Sequence, residues 1–187
     1  MAERVVCSRI CASQQEFDDL YARLKITPCP HCKTVGSHIK HGFLRGYDPQ
    51  HQLAKTVRAN RVFCSNRRVS GCGRTFSVWF AHRIKHLFLC ADSLWQFLRD
   101  AVSSGNKLDA FRKLDSGLSP SATYHIWRRF LNAQVAIRTA LAGLCEPPRI
   151  VSDCPAQLTL AHLERAFQEH PLSPIAAFAA TLQTFFI

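Results

Sequence analysis

The chain has 187 residues, a formal net charge of +11 and nine cysteines. This length accommodates one domain or two small ones. No stretch approaches the roughly eighteen consecutive apolar residues of a membrane span, and the first residues lack the apolar centre and cleavage site of a secretory leader. The sequence therefore predicts a soluble α+β protein of the cytoplasm, where cysteines stay reduced.

A capping box near the N-terminus predicts the first helix. In Ser13-Gln-Gln-Glu16 the serine side chain can cap a helix, while the glutamate reaches back to a free backbone amide. The helix is expected over residues 13–24, with Phe17, Leu20, Tyr21 and Leu24 on one apolar face. We expect the segment 1–26 to pack on the domain that follows it.

Four cysteines have the spacing of a metal site that consists only of thiolates. Cys29 and Cys32 form a Cys-x2-Cys pair, and Cys64 and Cys72 form a second, wider pair. Zn²⁺ takes four such ligands in tetrahedral geometry at about 2.3 Å. Because four thiolates close the coordination shell, the pattern predicts one structural ion rather than a catalytic one. His31, between the first two cysteines, is an alternative ligand.

Three segments around these cysteines have the composition and alternation of β-strands, at residues 37–45, 55–63 and 74–80. A turn is expected between the first two, at 46–53. A three-stranded antiparallel sheet held at one end by two cysteine pairs is a zinc ribbon, which we predict for residues 27–89. A sheet this small needs the free energy of metal binding in order to fold.

The predicted ribbon is strongly basic. Residues 23–85 contain thirteen Lys and Arg and a single acid, Asp48. Such a charge distribution attracts polyanions, of which nucleic acid is the first candidate; the alternative is a solvated basic face. The predicted phosphate contacts are Arg58, Arg61, Arg67, Arg68, Arg74 and Lys85.

From about residue 90 the apolar period becomes helical, and residues 90–145 have the order of a helix-turn-helix. A turn at Gly117 precedes Ser119, which begins a helix expected to run through Phe130 to about Leu141, with residues 119–132 reading DNA. Lys113 stands where that pattern usually has a small residue, so a plain helical bundle is the alternative. The side chains expected to contact DNA are Ser121, Tyr124, His125, Arg128 and Arg129.

Two apolar-rich helices complete the chain in residues 150–187, and they suit either internal packing or a homodimer contact. The remaining cysteines form either a second metal site or small buried apolar side chains; they are Cys7, Cys11, Cys90, Cys145 and Cys154. No phosphate-binding loop, nucleophile elbow or metalloprotease motif is present, and acids are too few for a metal-dependent nuclease. The sequence therefore predicts a protein that is not an enzyme.

Three segments that contain the predicted ligands precede the predicted helix-turn-helix. They are Cys29-Pro-His-Cys32, Arg61-Val-Phe-Cys64 and Cys72-Gly-Arg-Thr-Phe-Ser77. Over residues 27–132 this arrangement resembles the DNA-binding N-terminal region of bacterial insertion-sequence transposases, and the short accessory proteins encoded beside them. Since no acidic-triad nuclease domain follows, the resemblance implies an accessory factor or a regulator of a mobile element.

Such a protein would bind double-stranded DNA in the nucleoid, contain one structural Zn²⁺ and contact a transposase of the same element. Two alternatives remain at this point. One is an adaptor that docks a transposase or a polymerase, whose binding would survive high salt because phosphate contacts would not drive it. The other is an RNA-binding protein, which would prefer single strands.

Overall fold

The computed structural model describes residues 8–47, 55–67, 70–85, 87–114, 116 and 118–187. These residues form two compact units, one within residues 8–81 and the other within 82–187. The elements of the first unit are β1 (Ser8–Cys11), α1 (Gln14–Ala22), β2 (His38–Tyr47), β3 (Lys55–Cys64) and β4 (Thr75–Phe80). Those of the second are α2 (Ala91–Ser104), α3 (Lys107–Arg112), α4 (Ala122–Ala142), α5 (Pro155–Ala166) and α6 (Pro174–Leu182).

The first unit contains a four-stranded sheet in the order β1-β4-β3-β2. The strands predicted from sequence correspond to β2, β3 and β4, which pair antiparallel. The prediction that the sheet has only three strands is wrong. A fourth strand, β1, pairs with β4 in parallel, with Ser8 opposite Ser77 and Cys11 opposite Phe80. A four-residue strand is too short to show an alternating pattern, so only its tertiary partner reveals it. The turn predicted at 46–53 lies mostly outside the described residues.

One face of the sheet is covered by α1, as the amphipathic pattern predicted. The capping box is confirmed: the Glu16 amide donates to Ser13 Oγ at 3.1 Å, and the Glu16 carboxylate accepts from the Ala12 amide at 2.6 Å. Phe17 stacks on Tyr21 and lies 5.1 Å, centroid to centroid, from Phe80. The core beneath the helix comprises Cys11, Leu24, Val62, Phe76 and Val78.

The second unit is helical and has an aromatic core. Phe97 meets Phe111 edge to face at 5.6 Å, and Phe130 stacks on Phe186 at 6.2 Å. The C-terminal helices pack internally, since α6 contacts both α2 and α5 and its residues 175–179 are buried. None of the helices in the described part of the chain is long and apolar enough to cross a membrane.

The prediction of a ribbon followed by a helix-turn-helix bundle is also wrong. The helix before the turn, α3, has only six residues, whereas α4 has 21. The α4 helix begins at Ala122 rather than at Ser119, with Ser121 as its N-cap residue, and it ends at Ala142, next to the predicted end at Leu141. Buried side chains recur every three or four residues along its whole length, against α3 and α5. These side chains are Thr123, Ile126, Phe130, Gln134, Ile137 and Leu141. Gly117, the predicted turn residue, lies outside the described residues.

Candidate metal centre and basic surfaces

The four predicted ligands come together at one end of the sheet. The sulfur atoms of Cys29, Cys32, Cys64 and Cys72 all lie within 4.8 Å of one another. Sγ of Cys29 is 3.9 Å from that of Cys72, and Sγ of Cys32 is 3.7 Å from that of Cys64. These separations exclude disulfides, whose sulfurs are about 2.05 Å apart. Four thiolates at 2.3 Å from a tetrahedral ion would be about 3.8 Å apart, so the cluster could hold one metal ion.

A tight turn presents the first cysteine pair. The Lys33 amide donates to the Cys29 carbonyl at 2.9 Å, and the Cys29 amide donates to the Thr34 carbonyl at 3.0 Å. Lys33 adopts the left-handed region with φ of 63°, which reverses the chain directly after Cys32. Both sulfurs therefore point to the same side of the turn.

The second pair reaches the same geometry despite its seven intervening residues. Cys64 ends β3, its Sγ accepts from the Cys72 amide at 3.4 Å, and its carbonyl accepts from the Gly73 amide at 2.9 Å. Gly71 passes so close to the chain that a Cβ there would lie 2.0 Å from the Ser65 carbonyl oxygen. Gly71 thus brings the chain back beside Ser65, and the two cysteines remain adjacent in space.

The thiols of the cluster differ in acidity. Hydrogen bonding by the side chain and backbone of Thr34 lowers the pKa of Cys32 to about 6, whereas burial raises the pKa of Cys64 to about 12 and also raises the pKa of Cys72. In the metal-free site the proton is therefore lost most readily from Cys32 and less readily from Cys64 and Cys72. Because metals bind thiolates, an incoming ion must displace these protons, and its affinity rises with pH.

The alternative ligand and the alternative second site receive no support from the described residues. His31 is outside the four-sulfur cluster, and its Nε2 lies 3.3 Å from the Thr75 carbonyl oxygen. No other group of metal-binding side chains occurs in the part of the chain that the structure describes. Cys11 is buried in the core, and its burial raises the pKa of its thiol to about 11. Cys90 and Cys145 are half-buried, Cys154 is exposed, and Cys7 lies outside the described residues.

The basic residues predicted as phosphate contacts differ in solvent exposure. Arg67 lies between the two cysteines of the second pair, Arg74 follows that pair, and both are exposed, whereas Arg58 and Arg61 on β3 are half-buried. Arg68 lies outside the described residues. Lys85 belongs to the second unit, where its ammonium lies 5.5 Å from the centroid of the Phe185 ring. Arg67 and Arg74 are therefore the best placed of this set for phosphate contacts.

The sheet also has an apolar and basic surface that the sequence analysis did not single out. Arg61 and Phe63 alternate with the buried Val62 on β3, so they lie on the face opposite α1. The register places Ile39 of β2 beside Phe63, and the His41 ring is 5.5 Å from the Phe63 ring. The alternation within Arg61-Val-Phe63 was the signal that could have predicted this surface.

In the second unit, α4 carries the predicted DNA contacts on its outer side. Ser121, Tyr124, His125 and Arg128 are exposed on the first turns of α4, and Arg129 is half-buried. The helix contains no Asp or Glu, and its first turn has no acid or capping side chain. The charged side chains of α4 are therefore all cations, Arg128, Arg129 and Arg138, whereas the second half of the helix also exposes the apolar Leu131 and Val135.

Comparisons with known proteins do not place the chain in a family. No protein family, curated protein or solved structure was found that matches it. Its function is therefore argued from the chemistry of the metal centre and of the basic surfaces.

Proposed function

We propose that this chain is a DNA-binding protein whose first unit folds around one structural Zn²⁺ ion. Tetrahedral sites with four sulfur ligands suit zinc or iron, and the sulfur separations of 3.7 and 3.9 Å match a single such ion. Four thiolates leave no open coordination position, so the ion would stabilise the fold and take no part in a reaction.

The observation that carries the DNA-binding proposal is the segregation of charge in the first unit. All its described acids lie on α1, and they are Glu16, Asp18 and Asp19. The second cysteine pair, by contrast, presents the exposed Arg67 and Arg74 with no described acid beside them in sequence. The described side chains that flank the proposed zinc–thiolate centre at this end of the sheet are therefore cations, which attract a polyanion.

The outer side of α4 supplies a second basic surface. Tyr124 is 62% exposed and shares that side with His125 and Arg128. An α-helix fits the DNA major groove, where such side chains reach base edges and phosphates. Since α4 contains no acid, association of this surface with a second copy of itself would bring like charges together, whereas DNA would neutralise them.

The link to a mobile element rests on the sequence resemblance alone. We propose a role as an accessory factor or regulator of transposition on that basis. A neighbouring transposase gene, or inverted repeats that flank the gene and bind the purified chain, would support this role. A chain encoded far from any such element would count against it.

The metal and the DNA contacts can be tested on the purified full chain. We expect one zinc per chain by elemental analysis, without the visible absorption of iron thiolates. Duplex DNA should bind with an affinity that falls steeply with salt. Arg128→Ala should weaken binding about fivefold or more and reduce the salt slope by about one, whereas Arg149→Ala, at an exposed loop position, should leave both unchanged. Absence of duplex binding, or binding insensitive to salt, would contradict the proposal and favour a protein partner.

A further inference from the structure

The face of the sheet opposite α1 exposes apolar side chains among cations. We define the open sheet face as the side of β2 and β3 whose side chains point away from α1, on the strand positions between those that pack in the core under α1. It comprises Ile39, His41, Arg45, Val57, Arg61 and Phe63.

The open sheet face exposes apolar side chains, which do not bind phosphate groups. Ile39 is 41% exposed and Val57 is 42% exposed. The half-buried Phe63 ring is paired with the exposed His41 ring at 5.5 Å, with 37° between their planes. The two rings are tilted against each other and lie next to Ile39, which is the register partner of Phe63.

Cations border these apolar groups. Arg45 is exposed and is the register partner of Val57. Arg61 lies between the two ends of the face, and its guanidinium donates to Thr75 Oγ1 at 3.3 Å, which holds it along the sheet. No described acid lies on this face, because those of the first unit are all on α1.

We propose that the open sheet face binds unpaired bases of DNA, which stack on the His41–Phe63 ring pair while Arg45 and Arg61 contact the phosphates. Bases in a single strand offer their flat faces to such a surface, whereas a duplex conceals them and offers only phosphates. Val57 and Phe63 are about 20 Å apart with the buried Ala59 between them, so the stacking site is at the Phe63 end of the face. The inference rests on the proposed DNA binding and adds a single-stranded substrate to it.

The test compares a labelled oligothymidylate with a duplex of equal length, both binding to the zinc-loaded full chain. Phe63→Leu keeps an apolar side chain but removes the stacking ring, and it should weaken single-strand binding about tenfold. His41→Ala, at an exposed position that folding does not need, should weaken it severalfold. Phe43→Leu is the matched control. A register shift in β2 between Lys40 and Phe43 lets the exposed Phe43 pair with Asn60, so Phe43 lies on the face opposite to His41. Single-strand binding should not change in this variant.

Photocrosslinking of a bromodeoxyuridine oligonucleotide provides a second readout that needs no variant. We expect the crosslinked peptides to contain His41 or Phe63. The inference would be overturned by unchanged single-strand affinity in His41→Ala and Phe63→Leu, or by crosslinks confined to α4. Duplex binding in the same experiments would leave the proposed function standing. Failure to bind either form of DNA would overturn the proposed function itself.

Discussion

At the metal centre, individual residues determine whether four sulfurs can meet at one point. Thr34 bridges the two cysteine pairs, since its hydroxyl lies 3.4 Å from Cys32 Sγ and 3.2 Å from the Ser70 carbonyl oxygen. Gly71 allows the chain to pass close beside Ser65 just before Cys72. These residues are not ligands, but the position of the ligands depends on them.

Gly71→Ala should disrupt the second cysteine pair. The new Cβ would lie 2.0 Å from the Ser65 carbonyl oxygen, and a backbone atom cannot rotate away as a side chain can. We expect the first unit to lose about 3 kcal/mol of stability and the chain to lose zinc affinity in competition with a chelator. At Gly36 a Cβ would meet nothing within 4 Å, although φ is +86°. Gly36→Ala should therefore cost only about 1 kcal/mol, and equal losses in the two variants would contradict this account.

At the level of elements, a local signal located the start of α1, whereas α4 begins at Ala122 and not at the predicted Ser119. The capping box of α1 is a local arrangement of Ser13 and Glu16, and sequence was sufficient to predict it. The length of α4 depends on its partners, because the buried positions that continue it to residue 142 gain their stability from α3 and α5. The four-residue β1 exists only because β4 offers it an edge.

Ser13→Ala should weaken α1 and the sheet beneath it. The variant leaves the Glu16 amide without its acceptor, and loss of a helix N-cap typically costs about 1 kcal/mol. Chemical denaturation of the zinc-loaded chain would measure the change in the unfolding of the first unit. Ser103→Ala removes an exposed serine near the end of α2, and it should change stability by less than about 0.5 kcal/mol. A Ser13→Ala effect as small as that of this control would show that the cap contributes nothing.

At the level of the whole molecule, the two units have different sources of stability. The sheet unit has one small core under α1, whereas the helical unit has an aromatic core that includes Phe97, Phe111, Phe130 and Phe186. We expect a bound metal to contribute much of the folding free energy of the sheet unit. A helical unit with its own core does not need this contribution.

Metal removal should therefore unfold one unit and spare the other. We expect a strong chelator to make residues 8–81 sensitive to limited proteolysis, with the cleavage sites mapped by mass spectrometry, while the helical circular dichroism of the second unit persists. Cys64→Ser should reproduce this pattern without chelator because it removes a buried ligand. Cys154→Ser, at an exposed cysteine outside the cluster, should retain one zinc. A protease-resistant first unit after complete metal loss would contradict the dependence on metal.

The sequence by itself identified the four clustered cysteines, the strands β2 to β4 and the cap of α1. It could do so because ligand spacing, strand alternation and capping depend on residues that are close in the chain. Only the tertiary structure decided that β1 joins the sheet and that Ile39, His41 and Phe63 share one open face. These features depend on which distant segments pair, and the free energy of that pairing has no local signature in the sequence.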